Sequence, residues 1–179
     1  MRLRHVVLIL AFSLGAAACS GNVSFSIGGQ SAEDAASELI EGELSDQVGL
    51  VLTAACPELD DPSEGDQFDC TGTAEDGRVV LFTVDIGDKE VFANSTNMLV
   101  ESAVPGFEQS IVDALNAENN LGLPDGSLDC GSGPVIVGSD STVLCRLSDP
   151  NSADVYDTTI TITDQANWRF SIDVANEPS

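Results

Sequence analysis

The chain has 179 residues, with 6 Lys+Arg against 30 Asp+Glu and a formal net charge of −24. Such a surface repels phosphate backbones and anionic headgroups, which excludes nucleic acid as a partner and excludes a basic patch as the means of holding a membrane. The single histidine, His5, falls in an N-terminal leader, so the rest of the chain has no imidazole for a Ser-His-Asp or Cys-His site.

Residues 1–18 read as an export signal. Arg2, Arg4 and His5 form a basic start, Val6 to Leu14 an apolar middle, and Gly15-Ala16-Ala17-Ala18 the small residues before a cut. The apolar stretch is too short to span a bilayer. Cys19 stands directly after the alanines and before Ser20-Gly21, and this resembles a bacterial lipobox, in which the cysteine receives a diacylglycerol. Ala16 stands where that pattern usually has Leu, and Ala16-Ala17-Ala18 also suits the ordinary signal peptidase, which would leave Cys19 bare and the protein secreted. A free thiol at the start of an exported chain is out of place, so the expectation is a lipidated (palmitate-bearing) Cys19 and anchoring at the outer face of the cytoplasmic membrane. Residues 19–30, small and polar with Gly28-Gly29, read as a flexible tether.

A first module is expected over 31–96. Ser31 can cap a helix carrying Ala32, Ala35, Ala36, Leu39, Ile40 and Leu44 at helical spacing, and Gly49 marks its end. Leu50 to Ala55 reads as a short buried strand running into Cys56-Pro57. After Cys70, Arg78 to Asp85 and Lys89 to Phe92 are β-rich runs, with turns at Glu75-Asp76-Gly77 and Gly87-Asp88. A second module over 97–179 repeats the order. Gly106 to Asn119 puts Phe107, Ile111, Val112 and Leu115 on one helix face, with Pro105 near its start. Cys130 and Cys145 follow, and then a hairpin of Val155 to Thr163 and Asn167 to Ala175, which carries Tyr156, Trp168 and Phe170.

Four cysteines besides Cys19 allow three pairings. The near-equal spacings favour Cys56–Cys70 and Cys130–Cys145, one local bridge per module in an oxidising compartment. The fold class is therefore α+β: two small modules, each a helix packed on an antiparallel β-sheet with one local disulfide. No CxxC and no further histidine support a structural zinc site.

These residues carry a resemblance. An exported lipoprotein leader, a helix, Cys56-Pro57, Gly65 before Cys70 and a Val/Thr-rich hairpin resemble a family of actinobacterial cell-envelope modules of unknown function with a Cys-Pro…Gly…Cys core. The likeness covers Ser31 to Asn94 and is best over Gly65 to Cys70. No proline follows Cys130, where a second tandem copy departs from the pattern. The resemblance implies a small α+β module in an envelope lipoprotein, and it transfers no catalytic residue.

Candidate chemistry is sparse. No Walker A motif, GxGxxG or HExxH is present. A Ser-Lys site would have to use Lys89, in an expected turn. Residues 58–69 hold Glu58, Asp60, Asp61, Glu64, Asp66 and Asp69, and Asp60, Asp61, Glu64 and Asp66 are weak candidate ligands for a hard divalent cation, without EF-hand spacing. The expectation is a non-enzymatic protein without cofactor, anchored by its N-terminal lipid and engaging an envelope protein or wall polymer. The alternatives are a carboxylate-based hydrolase and weak divalent-cation binding through the acidic loop 58–69.

Overall fold

The computed structural model describes residues 24–26, 29–164, 169–175 and 177–179. The chain forms two compact units that meet in sequence between Met98 and Leu99.

In the first unit, Ser31 Oγ accepts the Asp34 N–H at 3.3 Å and caps α1 (Ala32–Leu39). The helix widens into a π-helical turn at Ile40–Leu44 and closes with α2 (Ser45–Val48), and Gly49 supplies the left-handed cap at φ 68°. The π turn has a local cause: the Ser45 hydroxyl donates to the Ile40 carbonyl at 2.9 Å and accepts the Leu52 N–H at 3.1 Å, tying helix to sheet. All six apolar residues of the expected stripe are buried.

That stripe covers one face of a five-stranded antiparallel sheet. Its strands are β1 (Ser24–Ser26), β2 (Leu52–Ala55), β3 (Gln67–Ala74), β4 (Val79–Ile86) and β5 (Glu90–Ser95), in the order β1-β5-β4-β3-β2. Phe68, Cys70, Val80, Phe82, Val84, Val91 and Ala93 alternate into the core. Beyond β5, Asn97 stands in for a strand: its side chain accepts the Leu81 N–H at 2.8 Å and donates to the Val79 carbonyl at 3.0 Å.

Three expectations are corrected here. The tether read over 19–30 is not free throughout, because residues 24–26 pair with β5, Ser24 opposite Phe92. The strand read as buried over Leu50 to Ala55 is an edge strand. Only Leu52 of its four residues is fully buried, Val51 just before it is 68% exposed, and among the described residues β3 is the sole neighbour of β2. The acidic loop is shorter than 58–69, since Gln67 to Asp69 already belong to β3.

The second unit opens with β6 (Met98–Leu99) at the junction, a 3₁₀ turn at Glu101–Ala103 and α3 (Val104–Asn119), which Asn120 caps at φ 51°. Short strands β7 (Leu128–Asp129) and β8 (Val135–Ile136) precede β9 (Thr142–Ser148), β10 (Val155–Asp164) and β11 (Arg169–Val174). The sheet order is β11-β10-β9-β7. Phe107, Ile111, Val112 and Leu115 of α3 pack on Val143, Cys145, Leu147, Ile160, Ile162 and Phe170. Phe107 meets Phe170 edge-on, with ring centroids 6.1 Å apart.

The two units share a register as well as an order. Ala55 faces Thr71, and Cys56 and Cys70 are bonded one step further along. Asp129 faces Arg146, and Cys130 and Cys145 are bonded one step further along. Cys70 faces Phe82, and Cys145 faces Thr158. Bulk is exchanged at matching positions: the first unit sets Gly72 beside a fully buried Phe82, and the second sets Leu147 beside a fully buried Thr158. A Cβ on Gly72 would lie 2.9 Å from Phe82, 3.2 Å from Leu52 and 3.3 Å from Ile40, all of them buried side chains.

Gly72→Val is therefore expected to destabilise the first unit by about 1–3 kcal/mol, the range for overpacking a filled core. Urea unfolding of the full chain checks it. An unchanged midpoint would show that the Phe82 pocket has room to spare.

Candidate functional site

The residues singled out in the sequence do not share one place. Cys19 and Trp168 lie outside the described residues. Asp60, Asp61 and Glu64 are exposed on the loop joining the first bridge's cysteines. Asp66, also exposed, is committed to the loop's own turn: its Oδ2 accepts the Ser63 N–H at 2.9 Å. Asp69 Oδ1 accepts the Thr83 hydroxyl at 3.1 Å on the sheet surface. Among the described residues no three His, Cys, Asp or Glu side chains are placed to hold one metal ion. Lys89 stands exposed at the tip of the β4–β5 turn, at φ 68°. Phe170 is buried in the core, and Tyr156 packs against it partly buried.

Many of the acids act locally on the backbone. Asp76 accepts the Arg78 N–H at 3.0 Å, Asp129 the Gly131 N–H at 2.8 Å, Asp140 the Thr142 N–H at 3.2 Å and Asp149 the Asn151 N–H at 2.7 Å. Each is an Asx turn, in which the carboxylate reaches two residues on and takes the place of a backbone acceptor. Asp76 also pairs with Arg78 Nε at 2.7 Å.

Two features were missed in the sequence. Glu108 on α3 accepts the Cys130 N–H at 2.7 Å, which fixes the helix against the second disulfide. Only its position one residue after Phe107, on the edge of the buried stripe, hinted at this. Beside it, Glu101, Pro105, Glu108, Asp129 and the Gly131-Ser132-Gly133 turn line a surface depression of about 420 Å³. Its carboxylates repel anionic ligands, and two of them, Glu108 and Asp129, are already engaged by backbone N–H groups.

The second missed feature is larger. The sheet face opposite each helix is rich in threonine. In the first unit Thr53, Thr73 and Val79 form one cross-strand row, and Ala55, Thr71 and Leu81 the next. Val79 is 40% and Leu81 43% exposed. In the second unit Thr142, Thr161 and Ser171 form a row beside Leu144, Thr159 and Asp173. The two rows of the first unit carry no charge, whereas the face of the second includes Asp173 and the facing pair Asp157 and Arg146.

No family model, curated protein or solved structure matches the chain.

The pH dependence follows from the turns. The Asp76 carboxyl is held below its ordinary value, first by the Arg78 N–H and then by the Arg78 side chain. Asp140 is held down first by the Thr142 hydroxyl and then by the Thr142 N–H, and Asp149 first by the Asn151 N–H. A carboxyl depressed in the folded state stabilises the fold above its unfolded pKa, and that contribution is lost as pH falls through the folded value. Carboxyl carbon NMR is expected to show these three aspartates titrating below the usual aspartate range. Titration at ordinary values would mean that the turns open in solution.

Proposed function

We propose that this chain is a non-catalytic, lipid-anchored protein of the bacterial cell envelope, held on the outer face of the cytoplasmic membrane by a lipid on Cys19. It presents two disulfide-braced modules to an envelope protein or a wall polymer. The proposal carries with it the resemblance to actinobacterial envelope modules with a Cys-Pro…Gly…Cys core, the second unit being a diverged copy of the first. What supports this copy is the shared register of bridge, cysteine-bearing strand and hairpin.

The observation that carries the binding reading is the threonine-rich face of β2, β3 and β4. Short hydroxyl side chains lose little conformational entropy when a partner covers them and can hydrogen-bond to it, and Val79 and Leu81 add exposed apolar area beside them. Most of the acids lie on turns and loops, and the two on this face, Asp69 and Asp85, accept from Thr83 and Gln67 beside the uncharged rows. The two bridges fit an exported location. No helix among the described residues is long and apolar enough to cross a membrane, and the proposal assigns attachment to the lipid on Cys19.

Two measurements test this. The full chain, expressed in a bacterium with its envelope intact, is expected to partition into detergent with a lipid adduct on Cys19, and Cys19→Ala is expected to leave the membrane with both disulfides retained. A Cys19→Ala protein that stays in the detergent phase sinks the anchoring. A photo-crosslinking residue at position 81 is expected to trap an envelope component that the same residue at position 88, in the β4–β5 turn, does not. Equal trapping at both positions, or none at 81, removes the face from consideration.

A further inference from the structure

The two sheets match strand for strand except at one edge. In the first unit the outer side of β5 is covered by β1, with Ser24, Phe25 and Ser26 opposite Phe92, Val91 and Glu90. The matching strand of the second unit is β11, which is the last strand of its sheet among the described residues. Among the described residues, this edge is thus covered by an antiparallel strand in one unit and by none in the other. An open edge offers a row of backbone groups to another strand.

Which groups point outward follows from the ladder. The Ala175 N–H donates to the Asp157 carbonyl at 2.9 Å. Hydrogen-bonded and non-hydrogen-bonded pairs alternate along an antiparallel ladder, so Asp173 and Ser171 bond inward to β10, while Phe170, Ile172 and Val174 turn their N–H and C=O groups outward. Phe170 is buried toward the helix side of the sheet, where Ile172 and Val174 are only partly covered. Arg169, Ser171 and Asp173 alternate onto the opposite face. Arg169 is half-buried, and its Nε is covered from solvent without a hydrogen-bond partner among the described residues.

We propose that the outer edge of β11 pairs with the β11 of a second copy of this chain, antiparallel about a two-fold axis through Ser171, so that the two sheets become one. In this register Phe170 of each copy exchanges backbone hydrogen bonds with Ile172 of the other, and both residues have the outward groups this requires. Ser171 faces Ser171 in a non-hydrogen-bonded pair. Arg169 faces Asp173 twice, once on each side of the axis, on one face of the joined sheet. Opposite charges directly across a ladder stabilise it and like charges destabilise it. The neighbouring two-fold register, centred on Ile172, also satisfies the backbone but sets Asp173 against Ser171 and Arg169 against Ala175, so it leaves both charges unmatched. The strand is thus self-complementary in charge, hydrogen bonding and apolar side at a single register, as an isologous contact requires. The large negative charge of each copy opposes association at long range. Salt screens that repulsion beyond about 8 Å at 0.15 M, so the pairing is expected to strengthen from low to physiological ionic strength.

The test introduces a thiol at the axis. Ser171→Cys in the full chain is expected to give a disulfide-linked dimer on non-reducing gels, with the bond mapped between the two copies of position 171. Ser152→Cys, on an exposed turn of the same unit, is expected to stay monomeric. In the Ser171→Cys background, Asp173→Arg sets like charges opposite each other at both ends and should cut the dimer yield about tenfold. Adding Arg169→Asp to it should restore the yield by exchanging the charges. Asp173→Asn serves as a gentler second variant and should lower the yield without reversing charge, and thermal unfolding verifies that each variant is folded. The proposal is overturned if Ser171→Cys remains monomeric, if the charge exchange fails to restore the dimer, or if position 171 links to a different protein.

Discussion

The bond from Cys56 to Cys70, and its counterpart from Cys130 to Cys145, ties a short edge strand of each sheet to the strand beside it. β2 has four residues and β7 only two, and each lies at an edge with one neighbour. Ladders that short do not hold by hydrogen bonding alone. The covalent link sits one step beyond the last paired residues, and closing a loop of about 15 residues contributes on the order of 3 kcal/mol in the chain-entropy model. The helix then docks against a strand that cannot drift. Ser45 makes that junction in the first unit by bonding Ile40 and Leu52 at once, and Glu108 makes it in the second by accepting the Cys130 N–H. With seven Phe, one Tyr and one Trp in the whole chain, each unit has a small aromatic core to work with, and the bridge supplies what the core does not.

The acids divide by location. Where the backbone turns, Asp76, Asp129, Asp140 and Asp149 are structural acceptors. Around the Cys56–Cys70 loop, Asp60, Asp61 and Glu64 stay in solvent. On the outer face of the first sheet, threonine and aliphatic side chains fill the rows across β2, β3 and β4 next to Asp69 and Asp85, and the outer face of the second carries Arg146, Asp157 and Asp173 among its threonines. A strongly acidic composition therefore folds into a surface with distinct regions, among them the uncharged rows of Thr53, Thr73 and Val79 and of Ala55, Thr71 and Leu81.

Where hydrophobic periodicity was strong, the elements could be read directly. The α1 stripe from Ala32 to Leu44, the Phe107–Leu115 face of α3 and the alternation from Thr159 to Thr163 all appear where expected, and the Ser31 cap and Gly49 stop hold to the residue. Both disulfides followed from spacing. The strands that carry the second cysteines were not legible. In β3 the inward positions include Cys70, Gly72 and Ala74, too small to register as an apolar pattern, because the bulk that fills their space comes from Phe82 on the neighbouring strand. In β9 the inward row of Val143, Cys145 and Leu147 is masked by Leu144, which points outward and is 74% exposed. β1 hid among serines and glycines because an edge strand needs a partner's backbone more than apolar side chains of its own. The open faces were hidden for the same reason: threonine serves turns, strands and surfaces alike, and only the register gathers it into rows.

The exchanged bulk between the units has a consequence for how the chain reaches its native state. Adjacent units with matching topology invite misassembly, in which a strand from one unit seats itself in the other. Here a stray β3 in the second sheet would bring Gly72 where Leu147 belongs, beside the slender Thr158, and leave a void. A stray β9 in the first would drive Leu147 into the space Phe82 occupies and clash. Each sheet is thus mismatched in volume, in opposite senses, to the cysteine-bearing strand of the other, which favours correct sorting of the two halves of the chain.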